Sequence, residues 1–317
     1  MLRSTSTRLL NTRITPRIIA ASPRSFHSTS PTPTPSPRST NTISQDEINH
    51  FSSLSAHWWD PTGEFGLLHR MNPKRIQFMR DSILQQKELP NGKWLKDMDV
   101  LDVGCGGGIF AESIARLGAN TLAIDASPSN ISVAQTHATL DPSLNLINSQ
   151  IPRPSSLSSL STSRPTKGSL EYRHCAAEDL EQEGKQFDVV CAMEVIEHVE
   201  DPRGFLECLM NLTKPGGHLL LSTISRTPLA KFLTITMAES VLRLVTPKTH
   251  TYHKYLKPSE LQEFFEEKGW YGMETRGCVY DPILGGWRLL GMGEYAGLGE
   301  MVNYFAGVRK PLDVVKE

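Results

Sequence analysis

The residues best suited to chemistry fall in two short words. The first is Val100-Leu101-Asp102-Val103-Gly104-Cys105-Gly106-Gly107-Gly108, an apolar run ending in glycines. A glycine-rich loop between a strand and a helix lets backbone come close to a ligand. Two cofactors use such a loop. A dinucleotide needs G-x-G-x-x-G/A to seat its pyrophosphate; counted from Gly104 the spacing fails at Ile109, but Gly106-Gly108-Ala111 fits. S-adenosylmethionine has no phosphate, and its charged amino-acid end asks for an acid and open backbone, which Asp102 supplies in D-x-G-x-G-x-G. Asp125 ends the next apolar run and suits the ribose hydroxyls of either cofactor. It could instead cap the following helix, although Ser127 already offers a cap.

The second word is Met193-Glu194-Val195-Ile196-Glu197-His198, after another apolar run. On a helix, Glu194, Glu197 and His198 share one face. Two carboxylates and an imidazole suit Mg²⁺, Mn²⁺ or zinc, and a metal there could hold a substrate oxygen and lower its pKa. The plainer alternative makes His198 a lone base or packing residue and the glutamates solvated. Ligands so close in sequence also form a strained set unless the backbone breaks.

These words need a frame. Apolar, β-branched runs predict strands at 100–103, 121–124, 170–175, 187–193 and 218–223. Helical spacing predicts helices over 46–58, 73–88 with Pro73 near the first turn, 110–117, 127–139, 202–212 and 258–268. Lys214-Pro215-Gly216-Gly217 reads as a turn. Strand and helix alternate, which implies a parallel sheet covered on both faces. Ligands of such sheets bind beyond the carboxyl ends of the strands, where both words lie.

Composition sets the outer limits. Among 317 residues, 38% are hydrophobic and 21% charged, with a formal charge of −1, which excludes a strongly basic nucleic-acid binder. No apolar run reaches the roughly 18 residues of a spanning helix. The five cysteines form no C-x-x-C pair. That argues against a zinc ribbon or a secreted disulfide scaffold and for a reducing compartment. The charge is uneven: residues 1–45 carry six arginines and no acid, leaving 27 basic against 34 acidic side chains in the rest. Arg-rich, Ser/Thr-rich and acid-free is the profile of a mitochondrial transit peptide, with Arg24-Ser25-Phe26 before His27-Ser28 as a processing-site candidate. The alternative is a tail that contacts nothing. Residues 31–37 (PTPTPSP) read as a spacer, and residues 141–169, rich in serine and proline, as a surface insertion. The expected division is leader and spacer over 1–45 and one catalytic domain over 46–317.

The order DVGCGGG, Asp125, Ala177-Glu178-Asp179, FDVV and KPGG resembles class I S-adenosylmethionine-dependent methyltransferases. The flanks narrow the likeness. Trp58-Trp59-Asp60 through Phe65, Leu68-His69-Arg70-Met71-Asn72-Pro73-Lys74-Arg75, MEVIEHV, and Thr249-His250 with Tyr255-Leu256-Lys257-Pro258 resemble the ubiquinone-biosynthesis O-methyltransferase family over residues 46–310, less the insertion. The glycine loop and KPGG are generic; the WWD…HRMNPKR segment is specific.

The resemblance implies a Rossmann-like α/β fold with a mostly parallel, seven-stranded sheet. It assigns Arg75, Gly104, Asp125 and Met193 to the cofactor, S-adenosylmethionine, and Glu194, Glu197 and His198 to a magnesium ion. Without it, Arg75 reads as a surface charge on an amphipathic helix. It further implies methylation of ring hydroxyls on polyprenyl phenol and quinol intermediates, with His198 or a metal deprotonating the hydroxyl. A peripheral place on the matrix side of the mitochondrial inner membrane follows, within a multi-subunit biosynthetic complex. Residues 228–245, with Leu229, Phe232 and Leu233 near Lys231, could lie in the membrane interface or pack as a lid. An NAD-dependent oxidoreductase using the Gly106 register and a non-catalytic scaffold are the readings from other classes.

Overall fold

The computed structural model describes residues 42–84, 94–147, 168–241, 251–281, 285–291 and 299–312. The leader through residue 41, most of the serine-rich stretch (148–167), and residues 242–250, which include Arg243, Leu244 and His250, lie outside the described residues.

Helices α1 (Gln45–Ser53) and α2 (Gly66–Leu84) precede an alternating series: β1 (Asp99–Val103), α3 (Ile109–Arg116), β2 (Asn120–Asp125), α4 (Pro128–Ala138), β3 (Ser169–His174), α5 (Ala177–Gln182), β4 (Phe187–Met193), α6 (Pro202–Leu212) and β5 (Thr213–Ile224). A helical turn at Pro228–Ala230 runs into a π-helical stretch, Lys231–Val241. Then come α7 (Pro258–Glu267), β6 (Glu274–Asp281), β7 (Gly286–Leu289) and β8 (Asn303–Arg309).

The strand order is β3-β2-β1-β4-β5-β8-β6-β7. β3 through β5 are parallel, whereas β8 runs antiparallel to β5 and β6, and β7 to β6. The sheet thus has eight strands where seven were expected, because β6 folds back into the extra edge strand β7. Side chains alternate across it, as a doubly covered sheet requires. Val100 and Val189 join Phe78, Ile114 and Phe305 on one face, while Leu101 and Val190 join Phe205, Leu209 and Phe264 on the other.

Four sequence boundaries move. The folded unit extends N-terminally of residue 46: Thr42 and Ser44 are buried, and the Thr42 carbonyl accepts from Glu200 N at 2.8 Å. The first carboxylate marked a change in composition, not the edge of packing. Residues 141–147 belong to the domain, since Leu144 is buried and Leu146 bridges Leu170. Helix α2 begins at Gly66 and carries Pro73 inside it; the ring is on the exposed face, where the missing N–H is tolerated best. The MEVIEH word is no α-helix: only Ile196–His198 turns, as a 3₁₀ helix.

Candidate active site

The glycine loop joins β1 to α3 at the carboxyl edge of the sheet. Gly104, Gly106 and Gly108 have φ of +69°, +53° and +87°, the left-handed region that side chains disfavour. Space is as tight as conformation. A Cβ on Gly104 would stand 2.6 Å from Val195, on Gly106 2.3 Å from the Trp58 ring, and on Gly108 2.3 Å from the Tyr172 hydroxyl.

Asp125 is tied to this loop. Its Oδ2 accepts from Gly106 N at 2.8 Å, and its Oδ1 from Ser127 N at 2.8 Å and Asn130 Nδ2 at 3.2 Å. Burial raises its pKa, against the pull of those hydrogen bonds. The cap of α4 belongs to Ser127, whose Oγ accepts from Asn130 N at 3.3 Å. Asp125 therefore fastens the end of β2 to the loop rather than capping the helix.

Arg75 proves to be buried, 5% exposed, not a surface charge. Its Nε and one Nη have no hydrogen-bond partner among the described residues, nor do one oxygen of Asp102 and Oε1 of Glu194. Burial pushes the Asp102 carboxyl up to about 7, with Arg75 opposing and Asp125 adding to the shift. Burial lowers the Arg75 pKa, while Glu194 and Asp102 act to raise it. Unpartnered charged atoms of both signs on one wall call for a ligand carrying both signs. An α-amino acid end meets that need.

The acidic and histidine residues sit next to this wall. Glu194 is a non-glycine residue at φ +58°, held there by N–H donation to both Ser222 O (3.1 Å) and Ser222 Oγ (3.0 Å). Glu197 Oε2 accepts from Thr223 Oγ1 at 2.9 Å, and burial with the neighbouring Glu194 charge pushes its carboxyl up to about 8. His198 Nδ1 pairs with Glu47 Oε2 of α1 at 3.1 Å, and its ring meets the edge of Phe51 at 5.0 Å. Burial would raise the Glu47 carboxyl, yet His198 and Lys254 bring it below its ordinary value. Among the described residues no three His, Cys, Asp or Glu side chains converge as a metal site. Glu194, Glu197 and His198 are neighbours on one wall, where Glu197 turns to Thr223, His198 turns to Glu47, and Glu194 Oε1 has no partner among the described residues. The two carboxylates are hard donors that suit magnesium, the imidazole is a softer one, and the three do not converge as a site for one ion.

One cavity of about 540 Å³ joins these features, lined by Arg75, Asp102, Gly104, Asp125, Met193, Glu194, Glu197 and His198. α1 lines a further side through Glu47 and Phe51, and β6 and β7 supply Cys278, Tyr280 and Trp287. Glu47, Cys278, Tyr280 and Trp287 carry no local motif that marks them for the site, and two tryptophans buttress the loop from behind. Trp58 stacks on Phe65 (3.7 Å between centroids) and donates through Nε1 to Asn130 Oδ1 at 2.9 Å. Trp59 donates to Gly107 O at 2.8 Å and stacks on His137 at 3.3 Å. Paired tryptophans just ahead of the predicted second helix were the available signal.

A sheet parallel from β3 to β5 with β8 inserted antiparallel between β5 and β6, a left-handed glycine loop after its central strand and a carboxylate at the end of the next strand form the arrangement of the class I S-adenosylmethionine-dependent methyltransferases. The methyltransferase-domain family matches residues 69–275. The ubiquinone biosynthesis O-methyltransferase, mitochondrial, of Schizosaccharomyces pombe is 44% identical over 272 residues, 86% of this chain and 88% of its own. The ubiquinone biosynthesis O-methyltransferase of Sinorhizobium fredii is 35% identical, covering 86% and 97%. The human mitochondrial protein of the same name is 37% identical, covering 79% and 62%. In structure the chain is similar to magnesium protoporphyrin IX methyltransferase from Synechocystis, with a TM-score of 0.52 at 15% identity over 84% of this chain and 96% of that one. That likeness is one of fold. The chain belongs to the ubiquinone biosynthesis O-methyltransferase family. The cofactor left open by the glycine spacing is S-adenosylmethionine, and the NAD-dependent reading falls away.

Proposed function

We propose that this chain transfers the methyl group of S-adenosylmethionine to ring hydroxyls of polyprenyl dihydroxybenzoate and demethylubiquinol intermediates of ubiquinone biosynthesis. The observation that carries the reading is the shared cavity: donor-binding residues and His198 line the same 540 Å³ space. The bound cofactor supplies an electrophilic methyl on a sulfonium. The chain's task is to hold that group, align the ring oxygen with it and remove the oxygen's proton.

Arg75 and Asp102 receive the carboxylate and ammonium of the donor, and the glycine loop lets its backbone lie close. Asp125, fixed by Gly106 and Ser127, is assigned the ribose hydroxyls. Met193 is buried at the end of β4 and closes the wall beside Glu194. The β6–β7 side, with Tyr280 and Trp287, offers the flat surface an aromatic acceptor needs. His198 takes the phenolic proton on Nε2, which makes no hydrogen bond among the described residues. The proton transfer is assigned to His198 alone, because Glu194, Glu197 and His198 do not close around one point.

The S. pombe and human relatives are mitochondrial by name, and the acid-free, arginine-rich leader agrees with that compartment. We extend this to peripheral contact with the inner membrane on its matrix side, within a multi-subunit biosynthetic complex. No helix among the described residues is long and apolar enough to cross a membrane. Support for surface contact comes from Leu229, Phe232 and Leu233, which are 40%, 51% and 39% exposed, with Leu233 also lining the cavity.

The test is turnover of a short-chain dihydroxybenzoate with S-adenosylmethionine. Methylation on a ring oxygen, lowered about 100-fold or more in His198→Gln, is expected. No ring methylation by the wild-type chain would overturn the reading.

A further inference from the structure

We propose that Glu47 is a positioning residue for His198, so that helix α1 completes the proton-accepting part of the site. The inference rests on the reading of His198 as the base.

A neutral imidazole has one N–H and one lone pair, and the partner of one nitrogen decides which atom carries which. Nδ1 of His198 faces a carboxylate oxygen, Glu47 Oε2, at 3.1 Å. A carboxylate only accepts, so the proton sits on Nδ1 and the lone pair on Nε2, the nitrogen a base must present. The bond links residues 151 apart in the chain. One helical turn further along α1, Phe51 meets the imidazole at 5.0 Å and 89°, which fixes the ring plane. Glu47 is itself held: its other oxygen lies 3.6 Å from Lys254 Nζ. Glu197, next to His198 in the chain, is engaged by Thr223.

A simpler role for Glu47 is an acid in the first turn of a helix, where it complements the dipole. Asp46 already supplies such an acid and is exposed. Packing holds α1 only in part: it has no fully buried residue, and Phe51 is its partly buried contact with the Trp58, Phe65 and Ile109 cluster. Its polar attachments surround the cavity: Thr42 Oγ1 to Glu178 Oε1 at 2.6 Å just ahead of it, Ser52 Oγ to Ser127 Oγ at 2.7 Å, and Glu47 to His198.

The experiment uses the full chain with Glu47→Ala, Glu47→Gln and His198→Asn, alone and combined. Turnover of the short-chain acceptor, donor affinity by calorimetry and long-range ¹H–¹⁵N spectra of the His198 ring are measured. Glu47→Ala is expected to lower kcat about 10- to 100-fold, leave donor affinity within about twofold, and move the ring toward the Nε2–H tautomer. Glu47→Gln, whose amide oxygen still accepts from Nδ1–H, is expected to keep the tautomer and recover part of kcat. In the His198→Asn background Glu47→Ala should have no further effect. Wild-type kcat in Glu47→Ala, an unchanged tautomer, or an equal loss in both backgrounds would overturn the inference. Wild-type kcat in His198→Asn would instead overturn the assignment of the base, with the tautomer spectrum still testing the contact.

Discussion

Trp58 lies so close to the glycine loop that a methyl group on Gly106 would stand 2.3 Å from its ring. The same indole reaches Asn130, which also donates to Asp125. One aromatic side chain thus presses on the loop and, through an amide, helps set the carboxylate beside it.

Gly106→Ala should therefore act twice. The residue sits at φ +53°, where an alanine is strained, and its methyl overlaps the indole. Together these should destabilise the fold by about 2–4 kcal/mol, measured by urea denaturation. Adding Trp58→Leu should relieve the overlap but not the backbone strain. Full recovery in the double variant would show that the left-handed conformation carries no cost here.

Assigning Asp102 to the donor's ammonium makes donor binding depend on pH. Its carboxyl stands at about 7 because burial outweighs the help of Arg75. The donor's ammonium needs the ionised form, so affinity should fall about tenfold per pH unit below 7. Binding at pH 6 should release close to one proton, read by calorimetry in buffers of different ionisation enthalpy, and Asp102→Asn should abolish that release. Stability carries the opposite sign. From the unfolded value of about 4 up to about 7 the folded state holds the extra proton, so ligand-free stability should fall as pH rises through that window. A wild-type affinity that is flat from pH 6 to 8 would contradict this assignment.

How much of this was legible in the sequence follows from the range of each contact. The parallel core was readable because Val100–Val103 and Phe187–Met193 carry their burial in their own apolar side chains. The antiparallel edge was not: Glu274–Asp281 mixes charged, glycine and aromatic residues, and becomes a strand through pairing with β8. In the site, the glycines and Asp125 announce themselves within a few residues of a strand end. Arg75 could be placed only by resemblance, since no local pattern distinguishes a buried arginine from an exposed one on the same helix. The pairing of Glu47 with His198 is tertiary and left no mark in spacing. The left-handed turn at Glu194, set by Ser222 from the adjacent strand, is what keeps the expected shared helical face from forming.

Chelation separates donor binding from any role of the acidic cluster. The residues assigned to the donor's charged end and ribose are Arg75, Asp102 and Asp125, whereas Glu197, His198 and Glu194, which the resemblance gives to magnesium, face Thr223, Glu47 and the Arg75 side of the wall. EDTA should thus leave the Kd for S-adenosylmethionine unchanged within about twofold, about 0.4 kcal/mol. A Kd weakened tenfold by EDTA and restored by Mg²⁺ would mean that a cation gathers those side chains and shapes the donor pocket.

The helical stretch after β5 tests the contact with a membrane. Leu229 and Phe232 are 40% and 51% exposed, and neither lines the cavity, whereas Leu233 and Thr234 do. The stretch is tied down from inside, where Thr234 Oγ1 meets the buried Tyr255 hydroxyl at 2.6 Å and Ala230 packs with Ile224. Its outer apolar side chains are thus left to solvent or lipid while its inner ones shape the site. Leu229→Glu with Phe232→Glu should lower partitioning onto cardiolipin-containing vesicles about tenfold or more, from loss of roughly 1 kcal/mol of apolar burial per side chain. Turnover of the short-chain acceptor should stay within about twofold, because the cavity wall is untouched. Unchanged co-sedimentation of the double variant would remove this stretch as the contact surface and return it to a lid over the acceptor.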